Sequence, residues 1–284
     1  MIARRVLTNT RKTECGAKQF LARLAVRAAS FALVLGLAAS VVLASAAFAS
    51  EITVMNSGAL TAACLQLIPE FERGTHYKVL TVYGASMGNA PDSIPNRLQR
   101  GEPADVVILA GSALDELIGR GMVVPGGRAD LARSSIGMAV RAGASKPDIG
   151  SVEALKRTLL EAKSIGYSAS ASGVYLSQQL FQRLGIAEQI LGKCKRIASE
   201  PVGVVVARGD AEIGFQQISE LLPVAGIDFV GPLPDEVQKI TVFSAGVAAG
   251  AQHPEAARAL IRFLSSPAAA PAMRKSGLDP VIGH

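Results

Sequence analysis

The chain has 284 residues, with 29 Lys/Arg against 23 Asp/Glu, 49% hydrophobic residues, no Trp and three cysteines. Seven basic residues (Arg4, Arg5, Arg11, Lys12, Lys18, Arg23, Arg27) and one acid, Glu14, fall in residues 1–49, so the remainder holds 22 of each sign and is formally neutral. A neutral remainder without basic clusters argues against a nucleic-acid partner, because the basic pI belongs to the N-terminal stretch.

That stretch reads as a secretory signal peptide. A basic start is followed by an apolar run from Ala28 to Ala49 that ends Ala47-Phe48-Ala49, a small-x-small cleavage pattern. The run is long enough to raise an uncleaved anchor as the alternative, but its Ala/Ser richness favours cleavage near Ala49 and a periplasmic protein. Of the cysteines, Cys15 lies in this leader; Cys64 and Cys194 are read as free, largely buried thiols, with no Cys or His nearby at metal-ligand spacing.

Glu51 to Met55 is a short apolar strand. Asn56-Ser57-Gly58-Ala59 turns from it into a helix carrying Leu60, Cys64, Leu67 and Phe71. Lys78 to Tyr83 is the next strand, and Gly84 to Pro95 a polar loop before a brief helix at Arg97-Leu98. Asp105 to Ala110 is nearly all apolar, as a parallel strand covered on both faces requires. A helix over Ser112 to Arg120, a strand over Ile136 to Arg141 and a helix capped by Ser151 follow.

A strand ends near Tyr167, and three serines alternating with alanines lead to a helix from about Gly173, where Leu176, Leu180 and Leu184 form one buried stripe. Ser172 is the expected N-cap, and the first-turn N–H groups behind it have no partner inside the helix. Such an end suits an anion, and no Lys, Arg or His lies between Ile165 and Gln182, so neutral donors would hold it. Capping a helix and lining an ordinary loop would explain the same serines. The junction at Ser57 is of the same kind, and two such loops at strand C-terminal ends point to a shared ligand.

Strands at Arg196 to Ala198, Glu212 to Phe215, Ile227 to Val230 and Lys239 to Ala249 alternate with helices near Val202 to Ala207 and Ile218 to Leu222. Two helices close the chain, one opened by Pro254 and one after Pro267. This alternation predicts an α/β fold with mostly parallel sheets.

The exported leader, the first strand with its Asn56-Ser57-Gly58-Ala59-Leu60-Thr61 loop, and the stretches Gly101-Glu102-Pro103-Ala104-Asp105-Val106, Ser172-Gly173-Val174-Tyr175, Gly209-Asp210-Ala211-Glu212-Ile213-Gly214-Phe215 and Phe263-Leu264-Ser265-Ser266-Pro267 resemble the periplasmic molybdate-binding proteins of ABC transporters. The similarity runs over nearly all of residues 51 to 280 in the family's order. It implies a two-lobed type II periplasmic-binding-protein fold, with lobe 1 over 50–135 and 245–284, lobe 2 over 136–244, and a ligand cleft between them. It also implies a monomer that captures a small oxyanion for an ABC permease, without cofactor or metal. The ligand contacts it maps are Ser57, Gly58 and Ala59, then Ser86, then Ser172 with Gly173, then Val202, and last Gln217.

Three of these places depart from the family's pattern. Ala59 stands where Ser is usual, Gln217 where Tyr is usual, and Met87, Gly88, Asn89 and Pro91 lengthen the second loop. An ionised oxyanion needs donors only, whereas a small carboxylate would suit a ligand site with a Gln pair, Gln216 and Gln217, and is the alternative ligand. Catalysis is not expected. Gly166-Tyr167-Ser168-Ala169-Ser170 lacks the final Gly of a nucleophile elbow, and His76, His253 and His284 stand outside loops that follow strands. The carboxylates weighed, Asp105, Asp210 and Glu212, begin or flank strands. A sensor with the same ligand chemistry is the third class the residues allow.

Overall fold

The computed structural model describes residues 51–282. The leader with Cys15, and His284, lie outside the described residues. Among the described residues eleven strands form two sheets. The first sheet takes β1 (Glu51–Asn56), β2 (Lys78–Tyr83), β3 (Val106–Ala110) and β4 (Ala129–Ser134). The chain then enters the second sheet through β5 (Ile136–Arg141), β6 (Ile165–Ser168), β7 (Cys194–Ile197), β8 (Ile213–Gln217) and β9 (Ile227–Pro232). It returns to the first through β10 (Thr241–Val247) and β11 (Asp279–Pro280). The strand orders are β11-β4-β10-β3-β1-β2 and β7-β6-β8-β5-β9.

Each sheet is covered on both faces by helices, which is the two-lobed α/β fold. In the first sheet Ile52, Val54, Val106 and Ile108 pack on Leu60, Cys64, Leu67 and Leu260. The alternate residues Met55, Val107 and Leu109 pack on Ile94, Leu114 and Leu117. This alternation is why β3 has no exposed residue. In the second sheet Ile136, Met138, Ile165 and Phe215 meet Leu155, Leu159, Leu176 and Leu180. Val202, Val205 and Val206 gather in a separate cluster with Ala211.

The sheets are mixed rather than mostly parallel. β1 pairs parallel with β2 and β3, and β6 with β7 and β8, while β10, β11, β5 and β9 pair antiparallel with their neighbours. The crossings impose this. β10 starts with Thr241 opposite Ser134, the point where the chain left the sheet, and so runs back along β4. Likewise β5 starts with Ile136 opposite Gln217, at the end of β8. The whole of β10 lies in the first sheet, so the expected return at 245 falls inside a strand.

Both crossings are short and adjacent. Only Ser135 separates β4 from β5. Gln238, in the return crossing, accepts from the backbone N–H of Ile136 (2.8 Å) and donates to its carbonyl (3.0 Å). Each lobe is thus held to the other by two neighbouring strands of chain that share one side-chain amide.

Candidate functional site

The strand C-terminal ends of both sheets open onto one cleft. The turn after β1 begins with Ser57, which is buried and extended (φ −82°, ψ 158°) and starts the short turn Gly58–Leu60 that runs into the helix Thr61–Gly74. The first-turn N–H groups there have no partner within their own helix. Ser57 Oγ is buried without a hydrogen-bond partner.

The loop after β2 crosses to the other lobe. Ser86 N donates to Ser170 Oγ at 3.2 Å, and Ser86 Oγ accepts from Ala110 N at 3.0 Å. Gly88 adopts φ +96°, and a side chain there would meet the Ala169 carbonyl at 2.7 Å. Only glycine permits both the left-handed backbone and that approach. The lengthened loop thus lies against the facing lobe.

From the second lobe, β6 delivers Ser168 and the helix that follows begins at Ala171, with Ser170 at its N-cap position. Ser172 therefore sits in the first turn and is not the cap. It is buried, and its Oγ lies 3.0 Å from Ser168 Oγ. The Leu176, Leu180 and Leu184 stripe is buried as expected, with one π-helical turn over Leu176–Leu180.

Six expected contacts converge. Ser57, Gly58, Ala59, Ser86, Ser172 and Gln217 line one void of about 10 Å³, together with Ser170, Ala171, Phe243 and Glu220. Two do not. Val202 N donates to Gln216 Oε1 at 2.8 Å, so that N–H is already taken, and the Val202 side chain is buried in the lobe. Gly173 is a packing residue: a Cβ there would fall 1.6 Å from the Ser168 carbonyl. Gln217 places its Nε2 3.3 Å from Thr241 Oγ1 and leaves Oε1 buried without a partner. The Thr241 hydroxyl can accept from the amide NH2 or donate to the amide oxygen, so a ligand can turn Gln217 to present its donor or its acceptor.

Outside this void lies a chamber of about 270 Å³, near the lower end of the sizes typical of small-molecule sites. Gly58, Ser170 and Glu220 line both spaces. The chamber wall adds Thr61, Ser168, Ser199, Gln216, Asp92 and Glu200, and no Lys, Arg or His. Its two glutamates differ in environment. Glu200 is gripped by Arg208 through two hydrogen bonds of 2.6 and 2.7 Å, which hold its carboxyl below the usual range. Glu220 has no cation beside it. Burial of its carboxyl pushes the pKa up to about 7, against a partial offset from donors on Gln216 and the Gln217 backbone.

Glu220 escaped notice in the sequence because it stands on a four-residue helix, Ile218–Leu221, one turn beyond the strand. Only its position just after Gln217 could have drawn attention to it. Asp105, by contrast, is a structural group: it accepts from the backbone N–H of Thr53 and of His253, both at 2.8 Å. Cys64 and Cys194 are both free, and burial pushes the Cys64 thiol up to about 12. Among the described residues no helix is long and apolar enough to cross a membrane.

With this geometry in view, residues 52–279 match the family model described as bacterial extracellular solute-binding protein. The chain belongs to that family. A solute-binding relative of known structure, the periplasmic molybdate-binding protein of Azotobacter vinelandii, superposes with a TM-score of 0.66 at 19% identity, covering 82% of this chain and all of that one. At that identity the likeness speaks for the fold. The molybdate-binding protein from the same organism is also 28% identical over 83% of this chain and 92% of its own length. A Pseudomonas protein named aconitate isomerase is 49% identical over 86% of this chain and 94% of its own length.

The last of these overturns the expectation that the chain is not an enzyme. The missing nucleophile elbow, the placement of the histidines and the strand positions of Asp105, Asp210 and Glu212 do not exclude isomerisation of a carbon–carbon double bond, which needs no nucleophile.

Proposed function

We propose that this solute-binding-fold protein takes a small organic polycarboxylate into the interlobe cleft in the periplasm and isomerises it, with aconitate as the substrate. The observation that supports this is Glu220. Its carboxyl has no cationic partner and lines both the inner void and the outer chamber. An organic polycarboxylate brings a C–H that an acid–base carboxyl can act on, which an inorganic oxyanion lacks, and the hydroxyls of Ser57, Ser86, Ser170 and Ser172 are neutral donors for its carboxylates. The 49% identical relative named aconitate isomerase supports the same class of ligand.

The test is direct. Purified protein is incubated with cis-aconitate and the trans isomer is followed by proton NMR, with molybdate, sulfate and citrate compared for binding by calorimetry. Interconversion at a catalytic rate is expected. Tight molybdate binding without any conversion of aconitate would return the chain to the oxyanion class.

A second reading follows from family membership: the same cleft captures the anion for delivery to an ABC permease. Uptake of labelled aconitate by cells with and without the protein separates delivery from conversion.

A further inference from the structure

Aconitate carries a CH2 and a vinylic CH on either side of one central carbon, and each of these two carbons bears a terminal carboxylate. Its double bond can change geometry without a nucleophile. Removal of one methylene proton leaves its electron pair spread over the three-carbon allyl system and the terminal carboxylates. Return of a proton to the former vinylic carbon re-forms a double bond on the other side of the central carbon. No atom is gained or lost, and the conformation of the CH2–carboxylate arm before proton removal sets whether the product is cis or trans.

Such a step needs one group that can take a proton and give it back, placed against the substrate and clear of cations that would hold it ionised. We infer that Glu220 is that group, removing the proton from the methylene carbon and returning it to the far end of the allyl system. This assignment rests on the isomerase function proposed above and adds the residue that performs it.

Three observations on the molecule support it. Glu220 lines both the outer chamber and the inner void, so its carboxyl stands at the junction between the entrance and the donor-lined floor. The backbone opposite is Gly58, and a Cβ there would lie 1.8 Å from Glu220 Oε1, so the carboxyl occupies the space that a side chain would fill. The other titratable groups facing the chamber are Tyr83, Asp92 and Glu200. Glu200 is committed to Arg208 and Tyr83 is raised by burial, which leaves it protonated. Asp92 projects from the loop Gly84–Pro95 and lines the chamber without reaching the inner void. A carboxyl whose pKa is pushed up to about 7 is also matched to reversible transfer near neutral pH.

The experiment compares the parent with Glu220→Gln and Glu220→Asp, using cis-aconitate for turnover and calorimetric binding, with melting curves to establish folding. General acid–base groups are worth about 10²- to 10⁴-fold, so Glu220→Gln should lose that much kcat while its affinity for cis-aconitate stays within about tenfold of the parent. Glu220→Asp should retain more turnover than Glu220→Gln, and the parent's kcat/KM should rise with pH through about 7, a limb that Glu220→Gln lacks. A folded Glu220→Gln that turns over at the parental rate overturns this assignment and leaves the isomerase function standing. So does one whose rate falls only in proportion to lost binding. A parent that does not interconvert the isomers overturns both.

Discussion

A methyl group on Gly58 would fall 1.8 Å from Glu220 Oε1, so these two residues share a space that holds one of them. Gly58 is not in the left-handed region, so its backbone accepts alanine without strain. The conflict is with the flexible end of Glu220 alone. Gly58→Ala is therefore expected to fold with a stability change below about 1 kcal/mol. It should displace the carboxyl and cost about 10²-fold in turnover, the scale of a misplacement of about 1 Å. Melting curves and aconitate turnover on the one variant check both halves, and full turnover would rule out a reacting Glu220.

Glu220 should also make stability depend on pH. Its pKa in the folded protein is raised from 4.5 to about 7, so the folded state holds the proton more tightly than the unfolded state does. Its contribution is most favourable below the unfolded value and is lost as pH rises through about 7. Above that, the ionised carboxyl costs up to about 3 kcal/mol. Glu220→Gln removes the titration, so the variant should gain on the parent between about pH 5 and about pH 8. A gap between the two melting temperatures that is constant over that window would contradict a desolvated carboxyl with a raised pKa.

Ligand binding should be visible as heat stability. A ligand bound by the native state alone, at about 100 times its Kd, adds about 2.7 kcal/mol. For a domain of this size that is about 5–10 °C in Tm. Aconitate should produce this shift with no added metal or nucleotide, and molybdate should not. The reverse pattern would remove the organic-anion ligand.

Ser172 offers a local test of the cleft floor. Its hydroxyl meets Ser168 Oγ at 3.0 Å rather than capping the helix, and Ser170 stands at the N-cap position. Ser172→Ala should therefore leave the helix start intact and cost about 1 kcal/mol in stability from the lost pair. Ser172→Asp places a charge in a void of about 10 Å³ and should abolish anion binding. Unchanged affinity in the aspartate variant, by calorimetry, would put the ligand elsewhere.

Asp105 should behave as a structural residue. It is buried and accepts the backbone N–H groups of Thr53 and His253, which tie β1 to the start of the helix Pro254–Leu264. Asp105→Ala strands both donors and should cost about 3 kcal/mol. Affinity for aconitate in the surviving folded fraction should be unchanged, and a selective loss of affinity would refute a purely structural role.

Much of this protein is legible along the chain. The apolar runs at Ile52–Met55 and Val106–Ala110, the Leu176/Leu180/Leu184 stripe and the turn residues between them are local patterns, and periodicity alone places them on strands and helices. The loops at Ser57 and Ser172 could be picked out because each follows a strand and opens a helix, where N–H groups are left without partners. What periodicity does not contain is pairing. β4, with only Leu131 and Ala132 buried by apolar contact, is a strand because β10 returns beside it from the other lobe. The same crossing turns the expected parallel sheets into mixed ones. Val202 and Gly173 look like ligand contacts until Gln216 takes the N–H of one and Ser168 crowds the other. Glu220 is the clearest case. As a letter it is an ordinary acid on a short helix, and its chemistry arises because the fold removes water from its carboxyl, brings no cation to it and sets Gly58 opposite. Those are distances between residues more than a hundred positions apart, and a linear pattern does not record them.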